Sequence, residues 1–233
     1  MAGAASWRDF LGHLREITQL IRADPSSRSS ERKWGQRAVN ADLTSAITKA
    51  AMSLTSGRLQ GCLSSQVQEF LERLDQSGLR AEQIPEVLRA QLILRYPKEG
   101  SDNSVAHTIK VQRASAVLWQ PGAVMQSGTI KTSCLPDSVW NPWPKKASQL
   151  LARCDVDLFG WINEAHGGRY LSEMQEEVAK LVKFRNEVVH GDEPQPVSTG
   201  EVWKSIRWAS RLARNSDDAL GAKLVELTGS HAW

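Results

Sequence analysis

The sequence predicts an all-α protein, and three observations support this fold class. Apolar residues recur every three or four positions over most of the chain, as they do on the buried face of a helix. Glycine- and proline-containing stretches separate the segments that carry this spacing. Within residues 171–190, acidic residues come first and basic residues last, which suits the dipole of a helix.

The N-terminal third predicts two helical segments joined by a flexible connection. Ser6 is expected to cap a first helix that ends near residue 22. Residues 24–32, rich in serine and charge, form the connection. A long helical pattern then covers residues 36–76, where Gly57 and Gly61 predict a kink or a close helix contact. One bent helix and two packed helices fit this pattern equally well.

Five further helices are expected in the rest of the chain. The first of them admits Pro85 because this residue falls in or near its first turn. The last is amphipathic and follows the stop that Pro194 and Pro196 impose on the helix before it. The predicted spans are 81–95, 105–119, 145–161, 171–190 and 199–215.

Residues 120–144 predict an irregular insertion in the helical bundle. Proline, glycine, serine and threonine dominate it, and the composition allows a short hairpin around residues 124–134. Trp140 and Trp143 could serve partner contacts, although packing of the loop is the better explanation for them. The expected organisation is an N-terminal helix and connection over 1–34, a helical domain over 35–217, and a C-terminal helix or tail over 218–233.

Composition limits the classes of function and the cellular compartment that fit this chain, but it does not identify the function. The net charge of +3, from 29 basic and 26 acidic residues, is too balanced to indicate nucleic-acid binding, so any such surface must be local. Cys62, Cys134 and Cys154 match neither a disulfide framework nor a zinc site, and we expect a reducing compartment. With no secretory signal and no run of 18 apolar residues, we expect a cytoplasmic protein with no membrane span.

The most informative short motif lies at the end of the segment 171–190. It reads Arg185, Asn186, three spacers, His190 and Gly191. Asn186 and His190, four residues apart, share one helix face, whereas Arg185 lies well round the helix and reaches the same ligand only through its long stem. A guanidinium can hold a phosphate while an imidazole moves protons near neutral pH, a pairing that suits phosphodiester cleavage.

A helix end by itself could also explain part of this motif. A cation such as His190 complements the negative end of the helix dipole, and Gly191 accepts the left-handed conformation of a C-cap. Capping accounts for these two residues and leaves Arg185 and Asn186 to be explained. If the motif is functional, a second copy facing it across a two-fold axis would make a better pocket than one helix, which implies a homodimer.

The motif resembles that of the HEPN superfamily of all-helical ribonucleases, closest to the RiboL-PSP-HEPN subgroup. The resemblance rests on Arg185, Asn186 and His190, and extends over about residues 35–215 through three segments: 51–74, 141–151 and 181–191. It implies a metal-independent endoribonuclease without a cofactor, working as a homodimer in which both motifs line one cleft. It also implies a setting in toxin–antitoxin or phage-defence systems, with an antitoxin or defence-system protein as partner.

In such an enzyme the RNA 2′-hydroxyl would be the nucleophile, and the product would carry a 2′,3′-cyclic phosphate. His190 would exchange protons, Arg185 would stabilise the transition state, and Asn186 would orient His190 or bind substrate. Two alternatives stay open: a non-catalytic module that binds RNA, nucleotide or protein, and a structural dimer that docks through the 120–144 insertion. His13, His107 and His231 lack the spacing of metal ligands, and the pair Asp155 and Asp157 could bind a cation only with further ligands that the sequence does not identify.

Overall fold

The all-α prediction is confirmed. The computed structural model describes residues 5–23, 34–94, 104–124, 128, 130, 141–191 and 196–229, with side chains from residue 42 in the second stretch and from residue 105 in the third. The predicted connection 24–32, Trp140, Cys134 and nearly all of the hairpin 124–134 lie outside the described residues. Within the described part there are eight α-helices: α1 (Ala5–Arg22), α2 (Trp34–Gln76), α3 (Glu86–Leu94), α4 (Ser104–Trp119), α5 (Pro144–Ala152), α6 (Leu158–His166), α7 (Gly168–His190) and α8 (Thr199–Thr228).

The 43-residue helix α2 is the axis of the bundle, and α1, α7 and α8 pack along it. Its apolar positions supply a core in which Leu59, Leu63 and Phe70 are fully buried. A buried polar contact joins it to α8, because the Gln66 side chain donates to the backbone carbonyl of Ala213 over 2.9 Å. None of the described helices combines the length and the apolar character that crossing a membrane requires.

The pattern over residues 36–76 forms one helix, α2, and not two packed helices. It runs without interruption through Gly57 and Gly61, both glycines are exposed, and a Cβ added at either would meet no atom within 4 Å. The predicted close contact at these glycines is therefore wrong. Burial of the apolar stripe on three other helices holds α2 together despite the cost of about 1 kcal/mol for each glycine.

The first helix is confirmed, but its cap differs from the prediction. Ser6 lies inside α1 and is buried. The backbone N–H groups of Ala5 and Ser6 instead donate to the carboxylate of Glu69 on α2, over 3.0 and 2.8 Å. A carboxylate 63 residues away from Ser6 thus satisfies the free donors of the helix end and fixes α1 against α2.

Proline breaks the helix predicted over 81–95. A short 3₁₀ turn covers Ala81–Gln83, and α3 begins only after Pro85. Ile84 has the extended conformation, with ψ of 128°, that a residue before proline favours. This turn also meets the insertion, since Arg80 and Val124 form an isolated antiparallel bridge.

The helix predicted over 145–161 is two helices. The chain turns between α5 and α6, where Asp155 has a positive φ of 61°, and the side chain of Asp157 caps α6 by accepting from the N–H of Gly160. The last helix is longer than predicted. Helix α8 continues to Thr228, so the expected domain boundary at residue 217 falls within it. Ser198 and Glu201 form a capping box that starts α8.

Candidate functional site

Helix α7 carries the Arg-Asn-His motif on its last two turns. One face of the helix is anchored in the core by Met174, Val178, Leu181 and Val182, all of them completely buried. The helix ends at Gly191, whose φ of 80° is the left-handed conformation of a C-cap. The motif therefore lies at a fixed, well-terminated helix end, as the sequence predicted.

Arg185 is half-buried and points at a neighbouring element. Its Nη1 donates to Asn141 Oδ1 over 3.0 Å and to Asn186 Oδ1 over 3.2 Å. Both acceptors are neutral amide oxygens, and no carboxylate of the described residues forms an ion pair with the guanidinium. The hydrogen bonds thus fix the direction of the side chain, and no carboxylate within the described stretches compensates its positive charge, which an anion could therefore bind.

Asn186 is held by Arg185 rather than by His190. Its amide oxygen accepts from the guanidinium. In the described part of the chain no hydrogen bond joins Asn186 to His190. The expected role of Asn186 in orienting the imidazole therefore has no contact to support it within one chain, whereas a role beside Arg185 has one.

His190 lies exposed on the last turn of α7. Helix geometry places it about 140° around and about 7.5 Å along the axis from Arg185. One chain thus brings Arg185, Asn186 and Asn141 together and leaves His190 on a different side of the helix end. The neighbouring Val189 is 58% exposed, so the surface beside the imidazole is partly apolar.

Sequence reasoning missed Asn141 as a site residue and treated it only as the start of a helical segment. Its position explains its role, because the Trp143 N–H donates to the Asn141 carbonyl over 2.8 Å and Pro142 and Pro144 are buried, which fixes the backbone before α5. A polar residue directly before a rigid, proline-rich helix start was the available indication. The exposed Lys145 follows in the first turn of α5 and adds positive charge to this edge of the molecule.

A second cluster of charges joins the middle of α7 to α8. Glu177, with a side chain only 10% exposed, accepts from Lys180 over 2.9 Å and from Lys204 over 3.0 Å. Burial acts to raise the pKa of Glu177, but the hydrogen bonds from the two lysines outweigh it and lower that pKa. Hydrogen bonds to Glu176 and Glu177 raise the pKa of Lys180 above its usual range. The cluster is a structural clamp between the two helices.

The two aspartates and the two described cysteines that the sequence offered as possible site residues have structural roles. Asp155 pairs with Lys223 over 2.8 Å and Asp157 is a helix cap, so neither is free for a cation. The described residues contain no cluster of histidine, cysteine and carboxylate groups suited to a metal ion. Cys62 and Cys154 are buried, and burial, followed by the charges of nearby Asp217 and Glu69, raises the pKa of Cys62 far above that of a reactive thiol.

Comparison with known proteins adds no relative from which a role could be transferred. No family model, curated protein or solved structure matches the chain. What the local arrangement can do is bind an anion at Arg185 and exchange a proton at His190, provided that one ligand reaches both.

Proposed function

We propose that the protein is a metal-independent endoribonuclease that acts as a homodimer. The observation that carries this proposal is the guanidinium of Arg185, which is aimed by Asn141 and Asn186 and has no carboxylate partner within the described residues. An aimed cation without a described carboxylate partner, brought opposite the exposed imidazole of a second copy, is suited to a phosphodiester.

RNA supplies its own nucleophile, which explains how two kinds of side chain, Arg185 and His190, are enough. The 2′-hydroxyl oxygen attacks the adjacent phosphorus, and the bond from phosphorus to the 5′-oxygen breaks. One His190 accepts the proton of the 2′-hydroxyl, and the His190 of the second copy donates a proton to the leaving 5′-oxygen. Arg185 stabilises the negative charge that grows on the phosphate oxygens. The products are a 2′,3′-cyclic phosphate and a 5′-hydroxyl end.

The positions of the two side chains favour a dimer over a single chain. Arg185 and His190 lie on different sides of the end of α7, so one helix presents them poorly to one phosphate. A second copy across a two-fold axis would put the imidazole of one chain opposite the guanidinium of the other. The exposed, apolar Val189 beside His190 is suited to packing against such a copy.

The motif's resemblance to the HEPN ribonucleases extends the proposal to its setting. On this basis the enzyme is a toxin or phage-defence effector of the cytoplasm, and a dedicated antitoxin or defence-system protein restrains or triggers it. The support is the match of Arg185, Asn186 and His190 to the family's motif, which lies at the end of α7.

Incubation of labelled RNA and of DNA with the same sequence, both in EDTA, tests the proposal. We expect cleavage of RNA alone, because DNA lacks the 2′-hydroxyl, and we expect loss of cleavage in Arg185→Ala and His190→Ala. His13→Ala is the matched control and should cut as the parent does, since His13 lies on α1 and hydrogen-bonds to Glu16 of the same helix. Cleavage by His190→Ala at the parent rate, or a requirement for a divalent ion, would contradict the mechanism.

One observation favours a second candidate, a non-catalytic module that binds RNA, nucleotide or protein. The hydrogen bonds of Arg185 within its own chain could serve mainly to fix α5 against α7. The two candidates differ in the cleavage assay: a binding module would retain RNA without cutting it, and Arg185→Ala would weaken binding while His190→Ala would not.

A further inference from the structure

A group of packed aromatic side chains lies around the start of α7, away from the Arg-Asn-His motif. His166 packs on Tyr170 with ring centroids 4.4 Å apart, and Tyr170 meets Trp208 edge-on at 5.1 Å. Trp208 is buried, Tyr170 is half-buried and His166 is exposed. The group is therefore anchored in the core and opens to solvent at His166.

The guanidinium of Arg211 lies over two of these rings. Its Cζ is 4.4 Å from the ring centroid of Trp208 and 5.4 Å from that of Tyr170. Nothing among the described residues accepts a hydrogen bond from this guanidinium. Cation–π contacts thus fix its plane, and its N–H donors have no acceptor in the part of the chain that the structure describes, which makes it a preorganised cation.

Two further arginines lie on the same side of α8. Arg207, Arg211 and Arg214 follow one another at spacings of four and three residues, so they lie within about 60° of one another over about 10 Å of helix. We call these three residues the α8 arginine face. Arg214 pairs with Asp218 at 3.7 Å, a weak exposed contact, and Arg207 has no ion pair with any described carboxylate.

Hydrogen bonds fix the histidine of the aromatic group to the same helix. Asn215 Nδ2 donates to the backbone carbonyl of Arg211 over 2.8 Å, so its Oδ1 is left to accept from His166 Nε2 over 3.1 Å. The nearby Arg169 is exposed and pairs with Glu173 at 3.2 Å. The surface thus combines rigid rings and a fixed guanidinium with exposed arginines on either side.

We propose that the α8 arginine face, together with His166 and Tyr170, binds the phosphodiester backbone of the RNA strand whose scissile phosphate reaches Arg185. The choice of RNA rests on the proposed function. Planar guanidinium groups match phosphate oxygens in pairs of hydrogen bonds. Aromatic rings beside a cationic stripe are what proteins use to hold single-stranded nucleic acid.

One strand can follow the surface between the two places. Tyr170 and Arg185 are 15 residues apart on α7, which separates them by about 22 Å along the helix and only about 60° around it. The carboxylate of Glu177 lies between them, but Lys180 and Lys204 compensate its charge. This carboxylate is therefore not a barrier that would repel a phosphate chain along the path.

Fluorescence anisotropy with labelled 2′-O-methyl RNA tests this surface, because the methylated strand has no nucleophile and cannot be cut during the measurement. The triple variant Arg207→Gln, Arg211→Gln, Arg214→Gln should bind about tenfold more weakly at low salt. The slope of log affinity against log salt concentration should become shallower by about 2, since each lost phosphate contact on a single strand removes about 0.7.

The matched control changes three exposed arginines on one face of α1, in the variant Arg8→Gln, Arg15→Gln, Arg22→Gln. It removes the same charge and should bind as the parent does. Because Arg211 also covers Trp208, the double variant Arg207→Gln, Arg214→Gln preserves the packing, and it should make the slope shallower by about 1.4.

Three outcomes would contradict RNA binding by the α8 arginine face. The two triple variants could lose RNA affinity equally, the double variant could bind RNA as the parent does, or the parent could fail to bind RNA. Failure of the proposed function looks different. A parent that binds through the α8 arginine face and leaves unmodified RNA intact would refute the ribonuclease alone. A parent that cuts RNA while its arginine variants bind unchanged would refute only the surface.

Discussion

In the proposed site, the contact between Arg185 and Asn141 shows how a hydrogen bond to a neutral acceptor can prepare a cation for an anionic ligand. A carboxylate partner would have aimed the guanidinium equally well, but it would also have compensated the charge that an incoming phosphate needs. An amide oxygen aims it at 3.0 Å and leaves the charge in place. Whether Arg185 can bind an anion therefore depends on whether its hydrogen-bond acceptor is charged or neutral.

Substitution of Asn141 separates the two effects. Asn141→Ala should lower kcat for RNA cleavage by about tenfold while KM changes little, because the guanidinium loses one of the two hydrogen bonds that fix its direction. Asn141→Asp keeps an acceptor but compensates the charge, so it should raise KM as well. Steady-state kinetics on both variants measures this split. Unchanged kinetics in both variants would remove Asn141 from the account.

The ends of the helices decide much of the local geometry. Gly191 has a φ of 80°, and a Cβ there would meet no atom within 4 Å, so the cost of a side chain is conformational alone. Gly57 has the same open surroundings but lies inside the helical run of α2. The two glycines therefore offer opposite responses to one substitution.

Gly191→Ala should destabilise the protein by about 1 kcal/mol, because alanine enters the left-handed conformation at a cost. Gly57→Ala should stabilise it by about 0.5–1 kcal/mol, because alanine favours the helix. Chemical denaturation measures both free energies of unfolding. Equal signs for the two changes would mean that one of these glycines does not have the backbone conformation described above.

Glu177 links α7 to α8, and its stabilising effect should depend on pH. Because its pKa is lowered in the folded state, its contribution is complete above the unfolded pKa of about 4.3 and disappears as the pH falls through the lower folded value. Glu177→Gln should therefore cost about 1–2 kcal/mol at pH 7 and much less near pH 3.

Glu176→Gln is the matched control for this prediction. Glu176 contacts the same Lys180 at 2.7 Å, but its side chain is 64% exposed, so its loss should cost about 0.5 kcal/mol or less. Urea unfolding at the two pH values compares the variants. A cost for Glu177→Gln that does not change with pH would contradict a role for its charge.

Periodicity and capping predicted most helices, and the failures have identifiable physical causes. The spans ending at residues 22, 76, 119 and 190 follow from apolar spacing and from the breakers behind them. The break at Pro85 follows from the missing N–H and the extended Ile84, which periodicity does not register. Glu69 at the end of α1 and Asn141 beside Arg185 are contacts between distant residues, and no local pattern encodes such contacts.

The whole molecule presents the Arg-Asn-His motif at the edge of a bundle built around α2. Because α7 is buried against α2, the motif has a fixed position in the bundle. In the proposed site, a second copy of the chain is needed to bring the Arg185 guanidinium and the His190 imidazole to one phosphate. In this proposal, cleavage activity therefore depends on the dimer and not on the single chain.

Mixing of two inactive variants tests the composite site. Arg185→Ala and His190→Ala should each be inactive alone. A mixed dimer should regain a small part of the activity, because it places one intact imidazole opposite one intact guanidinium but lacks the second imidazole that would donate to the leaving 5′-oxygen. Unfolding and refolding the variants together allows the chains to exchange before the cleavage assay. No recovery in a sample shown by mass to contain mixed dimers would contradict a site shared between chains.

The ends of the cleaved RNA report on the chemistry most directly. Mass spectrometry of fragments formed by the parent in EDTA should find a 2′,3′-cyclic phosphate on the upstream fragment and a 5′-hydroxyl on the downstream one, because the 2′-hydroxyl attacks and the 5′-oxygen leaves. A 5′-phosphate together with a free 3′-hydroxyl would mean that water was the nucleophile, and it would contradict the roles given to Arg185 and His190.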